Sequence, residues 1–190
     1  METFLTSTGL VAIAEIGDKT QLLAIVLAAR FRTPLPIILG ILCATLLNHA
    51  AAATLGYFIA QWLTGQTFQL IVGAAFIVMA GWALIPDKED ENAGSTKAGG
   101  VFLTTLIAFF FVEIGDKTQI ATSLLAAQFQ NIALVTAGTT FGMMLANVPA
   151  VLFGEAVTRV VPLNYVRIAA AIVMAATGVW VIVAALTSAA

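Results

Sequence analysis

The sequence predicts an all-α integral membrane protein with six transmembrane helices arranged as a 3+3 inverted-topology repeat. Three observations carry that expectation. Of 190 residues, 61% are hydrophobic and only 9% charged, with a mean hydropathy of +1.02, whereas a soluble domain carries about 25% charged residues. The apolar runs are continuous, rich in Leu, Ala and Ile, and longer than a buried core helix needs; a membrane barrel would instead alternate in segments of about ten residues. Finally, Glu15-Ile16-Gly17-Asp18-Lys19-Thr20-Gln21 recurs unchanged as Glu113-Ile114-Gly115-Asp116-Lys117-Thr118-Gln119, 98 positions further on.

Six spans are expected at 4–30, 34–60, 68–86, 101–127, 132–156 and 166–187. The first reads as one helix of about 40 Å with Gly17 at its midpoint. No basic residue precedes it, so it is expected to be a span of the mature protein rather than a cleaved signal. Pro34 and Pro36 open the second span after the turn at Arg30–Thr33, and Gly65 with its polar neighbours separates it from the third, which ends at Pro86. The fourth span repeats the first, with Gly115 at its midpoint, and Pro162 and Asn164 divide the fifth from the sixth. Domain limits follow: a three-helix repeat at 1–86, a polar loop at 87–100 and a second, inverted three-helix repeat at 101–190.

Orientation is set by the basic residues. Outside the two motifs these are Arg30, Arg32, Lys88, Lys97, Arg159 and Arg167, all in the first, third and fifth connections. The positive-inside rule assigns those connections to the cytoplasm, so the 87–100 loop is cytoplasmic and both termini lie outside. The repeat also extends beyond the motif. Ala28-Ala29-Arg30-Phe31 matches Ala126-Ala127-Gln128-Phe129, Gly40 and Gly56 match Gly138 and Gly154, and Trp82 matches Trp180. Asn48 and Asn147 are one residue out of step, so pairing them requires a small local shift. Three spans per half is an odd number, so the halves enter the membrane in opposite senses, an architecture that puts transport sites at the midplane.

The motif places Glu15, Asp18, Lys19 and Glu113, Asp116, Lys117 at the centre of bilayer-length runs, where each charge costs about 2.5–3.5 kcal/mol on insertion scales. On a continuous helix Glu15 and Asp18 share a face, as do Glu113 and Asp116. Gln21 and Gln119 are placed to add carbonyl oxygens. Gly17 and Gly115 permit either close helix approach or a local break that frees backbone carbonyls. Four carboxylates meeting with amide oxygens describe a hard-cation site for calcium, manganese or magnesium, and the single Cys43 and single His49 supply no zinc or copper cluster. Four carboxylates and two ammonium groups sum to −2, which one divalent ion neutralises. Without the ion, their repulsion in a medium of low dielectric constant favours proton binding, so alternate occupancy would exchange metal for protons.

Plainer roles stand beside these. Lys19 and Lys117 read as counter-ions, pairing i,i+4 with Glu15 and Glu113, an arrangement that leaves Asp18 and Asp116 unmatched. Thr20 and Thr118 are either ligands or hydroxyls bonded back to the i−4 carbonyl. Asn48 and Asn147 are either ligands or interhelical hydrogen-bonding groups. His49 is either a proton carrier or a histidine satisfied within the bundle, Met143 and Met144 either soft ligands or packing residues, and Pro149 kinks the fifth span. Glu155 and Arg159 form a surface pair. With no His-rich zinc set and no serine–base pair, an enzyme is not expected.

At these residues the chain resembles the Gdt-type cation/proton exchangers, whose hallmark is Glu-x-Gly-Asp-(Lys/Arg)-(Thr/Ser) opening each half of a six-span protein. The resemblance covers essentially the whole chain. It implies export of manganese or calcium in exchange for protons, with Glu15, Asp18, Glu113 and Asp116 binding the cation. The long N-terminal extension of Golgi members is missing, so the resemblance implies a bacterial inner-membrane form, in which Mn2+ efflux is the expected duty. A Ca2+/H+ antiporter with the same site and a passive cation channel are the alternatives. The expected partners are a divalent ion as substrate and the lipid bilayer. No cofactor and no nucleic acid are expected, and the oligomeric state is left open.

Overall fold

Pro34, with its fixed φ and missing N–H, opens the longest helix at the position where a helix tolerates proline best, and the other helices follow from equally local causes. The computed structural model describes residues 1–62, 65–84, 100–154 and 163–187, with no strand among them. The helices are α1 (Glu2–Glu15), α2 (Lys19–Phe31), α3 (Pro34–Trp62), α4 (Gln66–Ala83), α5 (Val101–Glu113), α6 (Lys117–Phe129), α7 (Ile132–Phe153) and α8 (Leu163–Thr187). Arg32 and Gln130, 98 positions apart, end α2 and α6 in the same left-handed cap, each donating its N–H to the carbonyl four residues back. The Asn131 side chain caps α7 by accepting from the Leu134 N–H at 3.0 Å.

One expectation is corrected here. The first and fourth spans are not single helices; each copy of the motif splits its run into two half-helices. Among the described residues α3 and α7 are long and apolar enough to cross a membrane unaided, while α5, cut short by the motif, is a shorter apolar helix. The polar loop expected at 87–100 lies, apart from Gly100, outside the described residues. So do Pro86, Pro162 and the Glu155–Arg159 pair.

Packing repeats across the halves. α1 lies on α7 and α5 on α3; α2 lies on α7 and α6 on α3; α4 packs on α8. Glycine makes the first of these joints possible twice. A Cβ built on Gly40 would fall 2.8 Å from the Phe102 carbonyl oxygen and 2.8 Å from Thr105 Cβ. On Gly138 it would fall 2.7 Å from the Phe4 carbonyl oxygen and 2.9 Å from Ser7 Cβ.

Two apolar cores result. One joins Leu10 and Val11 of α1, Ala53 of α3, Ala121 and Leu125 of α6, and Val135 and Met143 of α7. The other joins Leu23 and Leu27 of α2, Ile37 and Ile41 of α3, Ala108 and Phe109 of α5, and Ala150 and Val151 of α7. The first therefore precedes one motif and follows the other, and the second does the reverse, so the motifs lie between them. Meanwhile Leu55, Val78, Phe111 and Phe153 point outward. Polar groups inside and large apolar ones outside is the arrangement a hydrocarbon solvent selects.

Candidate cation site

The break in each long run is a type II turn. Ile16 (φ −65°, ψ 116°) and Gly17 (φ 80°) bring the Asp18 N–H to the Glu15 carbonyl at 3.1 Å. Ile114 (φ −59°, ψ 121°) and Gly115 (φ 75°) do the same for Asp116 and Glu113 at 3.0 Å. The third position of such a turn needs positive φ, hence glycine. A Cβ on Gly115 would meet nothing within 4 Å, so conformation, not close approach, requires that glycine. The glutamine side chains hold the turns: Gly17 N–H donates to Gln21 Oε1 at 2.8 Å and Gly115 N–H to Gln119 Oε1 at 2.6 Å. Gln21 Nε2 in turn donates to the Ala146 carbonyl at 3.0 Å. These carbonyl oxygens, expected as ligands, are engaged by the backbone of the break.

With the helix broken, the shared face expected for Glu15 and Asp18 does not exist; the turn joins them instead, placing Asp18 and Asp116 at the N-caps of α2 and α6. Glu15, Asp18 and Asp116 are buried, at 0%, 6% and 4% exposure, and offer carboxylate oxygens that all lie within 4.8 Å of one another. Oxygens bound to a single Ca2+ at about 2.3–2.6 Å are at most about 5 Å apart, so the acids of the two copies are close enough to share one ion. Glu113 is engaged differently. Thr45 Oγ1 donates to its Oε1 at 3.1 Å and Asn48 Nδ2 to its Oε2 at 3.3 Å. Three of the four acids form the group, and the fourth is held by α3.

The ion pair is another correction. Lys19 Nζ meets Asp116 Oδ1 at 3.1 Å, so this lysine pairs with an acid of the other copy, one that the i,i+4 reading left unmatched. The break between Glu15 and Lys19 removes the helical spacing that reading assumed. Lys117 is buried. Neither motif threonine bonds back to the i−4 carbonyl in the way expected of such hydroxyls. Thr20 Oγ1 donates to Glu15 Oε2 at 2.6 Å and Thr118 Oγ1 to Asp116 Oδ2 at 3.2 Å.

The second spans differ between the halves. Buried positions 37, 40, 41, 44, 45, 48, 49, 52 and 53 of α3 recur as buried positions 135, 138, 139, 142, 143, 146, 147, 150 and 151 of α7. No shift is needed, so Asn147 corresponds to His49, and Asn48 corresponds to Ala146. Likewise Thr45 corresponds to Met143. The donors that hold Glu113 are therefore replaced by a thioether and a methyl group in the second half. Glu15 Oε1 has no hydrogen-bond partner among the described residues, nor has Asn147 Oδ1, while Asn147 Nδ2 donates to the Met143 carbonyl at 3.1 Å. Both ring nitrogens of His49 also lack a partner, so this histidine is not satisfied within the bundle as the plainer reading had it. Met143 packs in the core and Met144 against the other one. Thr45 was missed in the sequence; its signal is a hydroxyl one helical turn before Asn48 on the same face.

Comparison with known proteins meets this geometry at both copies. No solved structure matches the chain. A protein of Vibrio cholerae serotype O1 described as "Putative manganese exporter" is 51% identical over 169 residues, covering 88% of this chain and 84% of that protein. The family model "Divalent cation/proton antiporter GDT1" matches twice, over residues 3–91 and 101–189, one motif in each match. The chain belongs to that family of divalent cation/proton antiporters.

Proposed function

We propose that this chain exports Mn2+ from the cytoplasm in exchange for inward-moving protons, by alternating access around the Glu15–Asp18–Asp116 group. The observation that carries the reading is that group itself: buried carboxylates from both copies of the motif, close enough for one ion. Three carboxylates with Lys19 carry −2, the charge a divalent ion cancels. When the ion leaves, repulsion among the acids favours protons on the same oxygens, and exclusive occupancy couples the two flows. Glu113 is the fourth acid of the layer and Lys19 and Lys117 are its counter-ions. Asn147 is a candidate further ligand, supported by its unengaged carbonyl oxygen.

The proposed setting is the bacterial inner membrane, with six spans as two inverted three-helix halves at 1–86 and 101–190. Each half packs its broken helix on the other's second span, as a pseudo-two-fold relation requires. Both termini lie outside and the 87–100 segment is cytoplasmic on the Lys/Arg pattern. Membership of an antiporter family accords with the expectation that the chain is not an enzyme. Ca2+/H+ exchange through the same site is the second reading, favoured by the purely oxygen donor set.

Reconstituted vesicles test this. Mn2+ uptake should be driven by a pH gradient and exceed Ca2+ and Mg2+ uptake, and Asp18→Asn or Asp116→Asn should abolish it in protein that still folds and inserts. Uptake indifferent to the gradient, or wild-type manganese resistance in efflux-deficient cells carrying either variant, contradicts the reading.

A further inference from the structure

The two motif glutamates sit in matching places with different neighbours. A Cβ on Gly40 of α3 would strike the Phe102 carbonyl oxygen and Thr105 Cβ, and one on Gly138 of α7 would strike the Phe4 carbonyl oxygen and Ser7 Cβ. Each glycine and each partner lies 98 positions from its counterpart, so α7 rests on α1 in the register in which α3 rests on α5. Position 143 therefore stands to Glu15 as position 45 stands to Glu113. At position 45 the residue is threonine, and its hydroxyl donates to Glu113 Oε1 at 3.1 Å. At position 143 it is methionine, fully buried and packed in the core that holds Leu10 and Val11 of α1. A thioether has no proton to donate, so Met143 leaves Glu15 Oε1 uncovered where a threonine would bond it. That oxygen has no hydrogen-bond partner among the described residues.

The Met143 side chain is turned along α7 toward the motif. Its sulfur accepts from Asn147 Nδ2 at 3.1 Å, one turn further on and next to Ala146, whose carbonyl takes the Gln21 side chain. The other end of that amide, Asn147 Oδ1, also has no partner among the described residues. We propose that Met143 is the specificity-determining residue of the cation site: its sulfur, beside Glu15 and Asn147, offers the ion a soft donor that Mn2+ accepts and Ca2+ and Mg2+ do not. The three-acid group presents oxygen alone, which all three ions take. Ca2+ and Mg2+ are hard and bind through oxygen, whereas Mn2+ stands at the start of the transition series and tolerates softer ligands. A thioether is neutral, so it selects without changing the charge that the acids and Lys19 have already matched to a divalent ion. The identity of the exported ion rests on the exchange reading above; the sulfur contact is a matter of binding alone.

Equilibrium binding to the purified chain tests it, in a Cys43→Ser background so that no thiol competes. Met143→Leu keeps the bulk and removes the sulfur. It should weaken Mn2+ binding by about 10–100-fold and leave Ca2+ affinity and the thermal midpoint unchanged. Cd2+ serves as a softer probe: X-ray absorption should show a sulfur neighbour to the bound Cd2+ when Met143 is present and none in Met143→Leu. The Cd2+ measurement on the unsubstituted site needs neither transport nor a folded variant. An Mn2+-to-Ca2+ affinity ratio unchanged in Met143→Leu, or bound Cd2+ with no sulfur neighbour when Met143 is present, overturns the proposal and leaves the exchange reading standing. A chain that carries Met143 and binds no Mn2+ removes both.

Discussion

Gly17 and Gly115 hold positive φ, 80° and 75°, at the third position of their turns, where glycine is strongly favoured. Forcing an L side chain into that region costs about 1–2 kcal/mol, so Gly115→Ala should lower the thermal midpoint in detergent and displace Asp116 from the acid group, reducing transport more than stability. Glu113 gives a second test. Its carboxylate is held by Thr45 and Asn48, and Asn48→Ala should cost about 1–3 kcal/mol by leaving a buried acceptor short of a donor; a stability scan measures it. The acids and glycines were legible in the sequence because the motif is doubled and sits where charge is expensive. Their convergence was expected for all four carboxylates; that three group while Thr45 and Asn48 hold Glu113 was not legible, since it depends on a turn that abolishes helical spacing. Lys19 pairing with Asp116, rather than with the nearer-in-sequence Glu15, follows from the same turn.

Helix ends and helix contacts obey the 98-residue repeat more closely than the polar residues do. The caps at Arg32 and Gln130 correspond, as do the tight crossings at Gly40 and Gly138. Gly138→Val should push α1 from α7, at a cost of about 1–3 kcal/mol for overpacking, and Gly40→Val should do the same to α5 and α3; thermal melts of the two variants should therefore agree. Helix positions were readable from apolar run length and proline. The two interruptions were readable only as one of two roles for Gly17 and Gly115, a break or a close approach, because a glycine at the centre of an apolar run serves either; positive φ at both shows the break. The register of Asn147 was misread for a related reason: matching residue type suggested Asn48, whereas burial along α3 and α7 pairs it with His49.

The molecule as a unit sets its acids between two apolar cores, and in the proposed exchange an ion and protons would contend for the same oxygens. Each Mn2+ bound should therefore release protons, and apparent Mn2+ affinity should fall steadily from mildly alkaline to mildly acidic pH; affinity constant across that range would break the coupling. Salt should matter little, because these charges are buried and only weakly screened. Sharing of one ion by both halves can be read from equilibrium Mn2+ binding to the purified protein. The predicted result is one ion per chain, lost on substituting either Asp18→Asn in the first copy or Asp116→Asn in the second. Two independent ions per chain, or full binding retained when one copy is altered, would contradict it.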